Sequence, residues 1–421
     1  MSLYLCNVNY WDRLKGTLET GDLVVEADRI EPAASGPHSG QTEIDGHGGL
    51  ALEGLTCGHH HIYSALARGM PAPPRTPRNF AEILELVWWR LDRNLDLDMI
   101  RASALAAGMD CLRCGVTRVI DHHASPFAIP GSLDAIAEAF DSLGLSHVLC
   151  YELSDRDGPE SAAQGLAETD RYLSSGRPGM VGLHASFTVG DQLLTDAVAL
   201  ARKHSTGIHI HVAEDQVDQE QCVAEHGCRV VERLYRAGAL DLPGTLVVHG
   251  LHLDDEERAL VKASPAWVVQ NTESNLNNAV GMFTHLGLDP ERIMIGTDGM
   301  HGDMIRSLKA AYIQGQTTGG ETMPQAWNEL WNNQRYLENH HASAAQSGDL
   351  VIFDYAPPTP LSSDNLLGHA FFGLDARHVR TVIAGGLVVV QDGRLTTIDE
   401  DSTLRFCREQ ADRLWLKLQQ S

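Results

Sequence analysis

The chain has 421 residues, 43% of them hydrophobic, so it can bury a large core and exceeds the usual size of one compact domain. Acidic residues number 56 against 32 basic ones, a formal net charge of -24, which argues against a nucleic-acid polymer as partner. The first residues resemble neither a signal peptide nor a transit peptide, and no apolar run reaches bilayer length, so we expect a cytoplasmic protein with no membrane partner.

Both the first fifty residues and the last seventy-five contain short apolar segments, typical of β-strands, that are separated by glycine-rich turns. Predicted strands include Leu3–Val8 and Asp22–Glu26 near one end, and Val379–Ala384 and Leu387–Gln391 near the other. We therefore expect residues 1–54 and 346–421 to form one composite β-sandwich domain.

Between these ends, residues 55–345 alternate short apolar runs that finish in polar residues with helical patterns. The runs include VTRVID, MVGLHA, GIHIHVAE, TLVVHG, WVVQN and IMIGTD. Strands that alternate with helices predict parallel βαβ units, and this number of them predicts a distorted (β/α)8 barrel of the α/β class. In such a barrel the catalytic side chains lie at the carboxyl ends of the strands.

The eight cysteines show no disulfide spacing, as expected of a reducing compartment. Cys111 and Cys114 form a single CxxC on a helix predicted over residues 97–114. Their i, i+3 spacing favours packing on one helix face over a zinc or redox role.

The segment GLTCGHHHIYSALARG places His59 and His61 two residues apart after a short apolar stretch. On an extended strand both imidazoles share one face, where they can bind one metal ion, while His60 points the other way. An expression tag would be terminal and longer, so the metal-site interpretation is favoured.

Three further strand ends carry groups of the same chemistry. His209 and His211 share a face of GIHIHVAE with Glu214 in the following loop, His249 ends TLVVHG, and Asp298 follows IMIGT. Taken singly, Glu214 could be a solvated loop carboxylate, His249 a buried barrel histidine and Asp298 a helix cap. The ordered combination of HxH, HxxE, a strand-end histidine and TDG is much more specific than any one of them.

This combination resembles the amidohydrolase superfamily, in the branch that includes guanine, cytosine and S-adenosylhomocysteine deaminases and the triazine hydrolases. The resemblance covers essentially the whole chain. Within that branch, the segments HIYSALARGMPAPPRTPRNF, VIDHHASP and QNTESNLNNAVG are similar to the aminohydrolases called SsnA, which are associated with selenium-dependent molybdenum hydroxylases.

The resemblance implies a role for each residue of the pattern. The implied metal ligands are His59, His61, His211 and Asp298. Glu214 and His249 are the implied catalytic pair, with Asp298 as a third catalytic group. His184, in VGLHASFT, matches a histidine that contacts substrate, and its strand has no lysine that could bridge a second metal. A mononuclear site is therefore implied.

One divalent ion is expected, with Zn²⁺ favoured by three imidazoles and one carboxylate and Fe²⁺ as the alternative. No other cofactor is predicted. A metal-activated hydroxide would attack a cyclic amidine, such as a purine, pterin, pyrimidine or triazine, and Glu214 would protonate a ring nitrogen so that ammonia leaves. The predicted function is thus a metal-dependent hydrolytic deaminase that uses water and a small heterocyclic substrate.

Other residues are predicted to line the barrel mouth. Trp88, on a predicted helix after the loop PAPPRTPRN, could cover a flat heterocycle, although core packing is an equal alternative. His123 and His301 follow strand ends and are predicted to face the mouth, with His122 facing outward. Departures from the family pattern at Gln270 and elsewhere fall in or near the expected pocket, so the substrate is less well specified than the chemistry.

The sequence leaves two alternative functions open. The same site could release chloride or an amide nitrogen, which the identity of the product would distinguish. A catalytically silent metal-binding accessory protein would need neither Glu214 nor His249. A homodimer or a higher homo-oligomer is left open.

Overall fold

The computed structural model describes residues 2–345 and 348–420. The strands within these ranges form two sheets of eight. In chain order they are β1 (Leu3–Asp12), β2 (Thr17–Glu26), β3 (Arg29–Pro32), β4 (Thr42–Glu53), β5 (Leu55–His60), β6 (Val116–His123), β7 (Ser146–Leu153), β8 (Val181–Ala185), β9 (Ile208–Val212), β10 (Leu246–His249), β11 (Trp267–Gln270), β12 (Ile293–Ile295), β13 (Leu350–Phe353), β14 (Val379–Ala384), β15 (Leu387–Gln391) and β16 (Arg394–Leu395).

The helices cover these sheets, and short 3₁₀ turns connect several elements. In chain order the α-helices are α1 (Phe80–Ile83), α2 (Trp89–Asp92), α3 (Leu97–Arg113), α4 (Ser132–Leu143), α5 (Pro159–Ser174), α6 (Asp191–His204), α7 (Gln216–His226), α8 (Val230–Arg236), α9 (Asp255–Ala263), α10 (Thr272–Asn277), α11 (Met304–Thr318), α12 (Met323–His340), α13 (Leu366–Phe372) and α14 (Glu400–Gln420). A π-helical turn, Leu84–Trp88, joins α1 to α2. None of the described helices combines the length and the apolar character that a bilayer crossing requires.

Strands β5 to β12 pair in chain order, all parallel, and form the predicted (β/α)8 barrel. A parallel bridge between His60 and Asp298 joins the last strand back to the first. These strands coincide with the apolar runs that the sequence analysis identified. Both faces of the strands are buried, as expected of parallel strands that helices cover. The carboxyl ends of the strands therefore meet at one mouth.

Helix α12 closes the opposite end of the barrel. Its Tyr336 and Leu337 pack, with Ala344, against strand residues inside the barrel such as Val248 and Met294. A capping box between Thr322 and Gln325 begins this helix. The barrel is thus a packed core whose end opposite the carboxyl ends of the strands is closed by α12.

The second sheet draws its strands from both parts of the chain that flank the barrel, in the order β16-β15-β14-β13-β4-β1-β2-β3. A buried apolar cluster is made of residues from this sheet alone, including Leu5, Val25 and Ile352. Such a cluster is shielded from water only if the sheet folds over on itself, which is the predicted β-sandwich.

The sandwich and the barrel share a buried ion pair. Arg118 of β6 lies 3.0 Å from Asp349, and both side chains are buried. The helix α14 packs along α3 rather than on the sandwich, and its Trp415 donates a hydrogen bond to Leu66 O. The division into domains of residues 1–54 with 346–421 and 55–345 stays a prediction, and its boundary at residue 346 lies outside the described residues.

Candidate active site

The four side chains predicted as metal ligands converge at the barrel mouth. The Oδ1 atom of Asp298 lies 3.4 Å from Nε2 of His59 and 3.2 Å from Nε2 of His61. The Nε2 atoms of His61 and His211 are 3.1 Å apart. These residues come from the ends of β5, β9 and β12, so parallel strand ends bring together groups that are far apart in the chain.

Backbone carbonyls of neighbouring strands orient two of the imidazoles. Nδ1 of His61 lies 2.6 Å from His122 O, and Nδ1 of His211 lies 2.8 Å from His184 O. Because a carbonyl oxygen only accepts, each Nδ1 carries a proton, and each Nε2 faces the centre of the site.

His59 is oriented by another histidine. Its Nδ1 atom lies 2.8 Å from Nε2 of His209, deeper in the barrel. Its own Nε2 is buried without a hydrogen-bond partner among the described residues, and it faces the same centre as Asp298. Burial lowers the pKa values of His59 and His211 well below the usual range, so both are in the neutral, ligating form. For His61, although burial acts in the opposite sense, the Asp298 carboxylate raises the pKa to about 9, so this imidazole binds a metal ion only by releasing a proton. With that proton released, three imidazoles and one carboxylate fit a divalent metal ion.

Two of the strand ends carry unusual backbone conformations. His249 has φ of 70° and Asp298 has φ of 54°, in the left-handed region that non-glycine residues rarely adopt. Gly250 also has positive φ, at 61°, and a side chain at Gly299 would approach Ser64 Oγ to 2.7 Å. The glycines that follow these two residues thus permit turns that direct both functional side chains into the mouth.

Glu214 and His249 lie beside the metal ligands as a pair. Nδ1 of His249 is 2.8 Å from Asn275 Oδ1, an acceptor, so Nδ1 carries a proton and Nε2 faces Glu214 Oε2 at 3.5 Å. Burial raises the pKa of the Glu214 carboxyl to about 7. A carboxyl group with that pKa can both donate and accept a proton near neutral pH.

The centre opens into a cavity at the barrel mouth. Polar groups on its walls include Glu152, His184 and Asn278 besides the groups described above. The apolar part of the wall consists of Tyr63, Phe80, Leu84, Trp88, Trp89 and Met300. A cavity that places several aromatic faces beside many polar groups suits a flat, polar heterocycle.

The residues predicted to bind substrate divide into two groups. His184 and Trp88 line the cavity. His123 and His301 do not: Nε2 of His123 lies 2.9 Å from Ser125 Oγ, and Nε2 of His301 lies 2.6 Å from a Glu273 oxygen, both outside the cavity wall. His301 lines an adjoining cleft that shares Ser64 and Met300 with the cavity. Substrate binding by these two histidines stays a prediction.

The predicted outward orientation of His122 is wrong. His122 faces the barrel interior, with its ring centroid 4.7 Å from those of His209 and His211. Alternation along the strand explains this, since Ile120, two residues earlier, belongs to the interior cluster.

Glu152, near the end of β7, was missed by the sequence analysis although it lines the cavity. It follows the apolar run VLCY, so the rule that finds polar groups at barrel strand ends would have found it. The sequence analysis did not identify Asn275 as the hydrogen-bond partner of His249. The two residues lie on different segments, α10 and the end of β10, so no local sequence pattern relates them.

The departure at Gln270 lies behind the cavity wall. Gln270 is fully buried, and its side-chain amide donates a hydrogen bond of 2.5 Å to Glu329 of α12. Thr272, two residues further along the chain, donates to Gln270 Oε1. These residues join the end of β11 to α12 and do not line the cavity.

The fold and the site define a metal-dependent barrel hydrolase. Residues 51–324 match the model of the amidohydrolase family, and the chain belongs to that family. It is 28% identical to a 5-methylthioadenosine/S-adenosylhomocysteine deaminase of Desulforudis audaxviator, covering 94% of this chain and 95% of that protein.

Two solved structures share the fold. An adenosine deaminase from Xanthomonas campestris with bound zinc has a TM-score of 0.80 at 18% identity, covering 98% of each chain. An atrazine chlorohydrolase from Arthrobacter aurescens, also in complex with zinc, has a TM-score of 0.80 at 17% identity, covering 97% of this chain and 100% of that one. The predictions of the family, the fold and a hydrolase that acts on carbon–nitrogen bonds are confirmed.

Proposed function

We propose that this chain is a mononuclear zinc-dependent aminohydrolase that releases ammonia from a cyclic amidine of a purine, pterin, pyrimidine or triazine. Its ligands are His59, His61, His211 and Asp298. The observation that carries the proposal is the Glu214–His249 pair next to this cluster, because a merely structural metal site needs neither residue. That pair argues against the silent accessory protein.

The proposed ion is zinc because the donor set is rich in imidazole and because both solved structures named above contain zinc. When bound, the ion supplies positive charge that acidifies water and stabilises negative charge on oxygen. His59, His61 and His211 would hold it through Nε2, and Asp298 would contribute its carboxylate.

Side chains of the protein carry out the proton transfers of the reaction. Asp298 is placed to take a proton from the attacking water, and His249, with its proton on Nδ1, accepts a hydrogen bond from that water through Nε2. Glu214 donates its proton to a ring nitrogen of the substrate, which makes the amidine carbon electrophilic. As the carbon–oxygen bond forms, Asp298 takes one proton of the water and passes it to the exocyclic amine, so the carbon–nitrogen bond breaks and ammonia leaves. The remaining hydroxyl proton returns to Glu214, which leaves a carbonyl group beside the protonated ring nitrogen.

The cavity wall supports a planar substrate. Trp88, Trp89 and Tyr63 present aromatic surfaces beside the catalytic groups. The sequence relatives include a deaminase named for adenine-containing thioethers, which agrees with a purine as one candidate. Cytoplasmic location and a homo-oligomeric state remain proposals.

The test is a screen of purines, pterins and triazines with the zinc-loaded enzyme, using a coupled assay for ammonia and a separate assay for chloride. We expect ammonia from at least one heterocycle, and none above background from Asp298→Ala. Chloride without ammonia would favour the chlorohydrolase reaction. Absence of any product from the loaded wild type, with Glu214→Gln leaving the cellular role intact, would refute an enzymatic function.

A further inference from the structure

Glu152 is a carboxylate in the cavity wall that the catalytic scheme does not use. It lies on β7 with 6% of its surface exposed, and it lines the same cavity as Glu214 and His184. It comes from a different strand end than any proposed metal ligand. The side chains around the Glu152 carboxylate determine which ligand groups it can bind.

Two basic side chains flank the Glu152 carboxylate. Nε2 of His122 lies 3.2 Å from the carbonyl oxygens of Leu183 and His209, so that nitrogen carries a proton, and Nδ1 of His122 lies 3.3 Å from Glu152 Oε2. Arg156 lies 3.8 Å from Oε1. Although burial acts in the opposite sense, the charges of His184, His122 and Arg156 hold the pKa of Glu152 below its usual range. The group is therefore an ionised carboxylate that only accepts hydrogen bonds.

The acceptor capacity of Glu152 is not used up by the protein. The 3.8 Å separation from Arg156 is too long for a hydrogen bond, and the 3.3 Å contact with His122 involves only the other oxygen. Neighbouring charges keep this buried carboxylate ionised, but the protein supplies few hydrogen-bond donors to it. A ligand with a hydrogen-bond donor at this place therefore binds more favourably than one without.

The wall that carries Glu152 is held in place. Arg156 forms a short ion pair with Asp92 and a second one, of 3.3 Å, with Asp157. Its guanidinium lies 5.2 Å from the ring centroid of Trp89, which in turn lies 6.0 Å from the ring of His184. These contacts hold Arg156 beside Glu152, so the positive charge that stabilises the carboxylate stays in the cavity wall.

We propose that Glu152 is a specificity-determining residue that selects substrates with an N–H, amino or hydroxyl donor on the part that faces β7. The inference rests on the proposed function, whose substrate class it narrows. A bare ring nitrogen or a carbonyl oxygen at that place would be repelled by the carboxylate, because both present lone pairs.

Two sources could supply the donor, and matched ligand pairs distinguish them. A ring donor is tested by 2,6-diaminopurine against adenine, which differ in one amino group. A sugar donor is tested by adenosine against 2′,3′-dideoxyadenosine, which differ in two hydroxyl groups. Each pair keeps the same ring and the same leaving amine.

Dissociation constants of the four compounds are measured calorimetrically on the zinc-loaded Glu214→Gln enzyme, in which turnover is blocked, with and without Glu152→Gln. We expect the donor-bearing member of one pair to bind about 10- to 100-fold more tightly when Glu152 is present, which is the range for a hydrogen bond to a charged group. Glu152→Gln should reduce that ratio to about 1 to 3, and Glu152→Asp, which keeps the charge, should retain part of it.

The control is Glu168→Gln, which removes another buried carboxylate, one paired with Arg171 on α5 away from the cavity. It should leave both ratios unchanged. Ratios near 1 in both pairs, no binding of any of the four compounds, or an equal loss of affinity for all four on Glu152→Gln would overturn the inference. Selective binding without ammonia release by the wild type would instead refute the proposed function alone.

Discussion

Ser274 Oγ donates a hydrogen bond of 2.5 Å to Asp298 Oδ2, and the other carboxylate oxygen faces His59 and His61. Ser274 lies on α10, which begins just after β11, whereas Asp298 follows β12. The contact therefore fixes the rotation of the carboxylate from outside the proposed ligand set. Groups that orient metal ligands in this way commonly account for a 10- to 100-fold effect on metal affinity or activity.

We expect Ser274→Ala to lower kcat about 10- to 100-fold and to weaken zinc retention, because the Asp298 carboxylate would lose its orientation. Steady-state kinetics and zinc content after dialysis measure both effects. Ser142→Ala, at an exposed serine on α4, should change neither. Unchanged kinetics of Ser274→Ala would show that the positive-φ backbone alone holds Asp298.

Glu214→Gln should lower kcat about 10²- to 10⁴-fold while zinc content stays near one per chain, because the amide cannot transfer the proton and is not a ligand. Single-turnover kinetics and metal analysis on the same sample separate the two effects. The exposed Glu220→Gln on α7 is the matched control. Loss of zinc from Glu214→Gln would mean that Glu214 belongs to the ligand set.

Removal of the metal should destabilise the barrel. We expect a chelator to lower the Tm of the wild type by about 5–10 °C, since an ion bound only by the folded state stabilises it in proportion to its saturation. Differential scanning calorimetry with and without added zinc measures the shift. Asp298→Ala, which lacks the carboxylate ligand, should respond to the chelator by a much smaller amount, and an equal response would contradict the proposed ligand set.

Stability should depend on pH through Glu321, a buried residue between α11 and α12. Both of its carboxylate oxygens lack hydrogen-bond partners among the described residues. Burial, with a smaller contribution from the charge of Glu329, raises the pKa of Glu321 from 4.5 to about 7. The folded state thus binds a proton more tightly than the unfolded state, so this stabilising contribution is complete below pH 4.5 and is lost as the pH rises through 7.

Glu321→Gln should therefore be more stable than the wild type at pH 8 by about 1–3 kcal/mol, with the difference fading toward pH 5. Urea denaturation at several pH values measures it. Glu409→Gln, at an exposed position on α14, should show no such trend. A difference that is constant with pH would indicate a change in packing instead of a titration.

Asn333 of α12 links the first and the last barrel strands. Its side-chain amide donates to Thr56 O at 2.7 Å and to Ile295 O at 2.8 Å, and its oxygen accepts from Ile295 N at 3.0 Å. Asn333→Leu would leave these buried backbone groups unpaired, at a cost of about 2–4 kcal/mol. Chemical denaturation should show this loss, and the partly exposed Asn328→Leu on the same helix should show little of it. Equal stability of the two variants would exclude this role in barrel closure.

Much of the fold followed from local patterns. Strands such as Leu246–His249 are short apolar runs between helical segments, and parallel pairing of such units leads to one architecture. The same logic placed His59, His61, His211 and Asp298 at one mouth, because the ends of parallel strands meet there whatever the connections between them.

Other features depended on contacts that no local pattern contains. Tyr336 of α12 helps to close one end of the barrel, and α14 packs on α3. Both contacts join segments that are far apart in the chain. The exclusion of His301 from the cavity follows from its ion pair with Glu273 of α10, a partner 28 residues away. Such pairings follow from the final packing of helices around the barrel, so propensity and periodicity do not predict them.

By itself the sequence determined the barrel and placed His59, His61, His211 and Asp298 at its mouth, since each of them is placed by its own strand end. The tertiary structure alone decided how these groups are oriented and protonated. His61 and His211 present Nε2 to the centre because the carbonyls of His122 and His184, on neighbouring strands, accept their Nδ1 protons. Hydrogen bonds are directional, and their partners here come from adjacent strands, so only the folded chain specifies which atom of each ring is free to bind a metal.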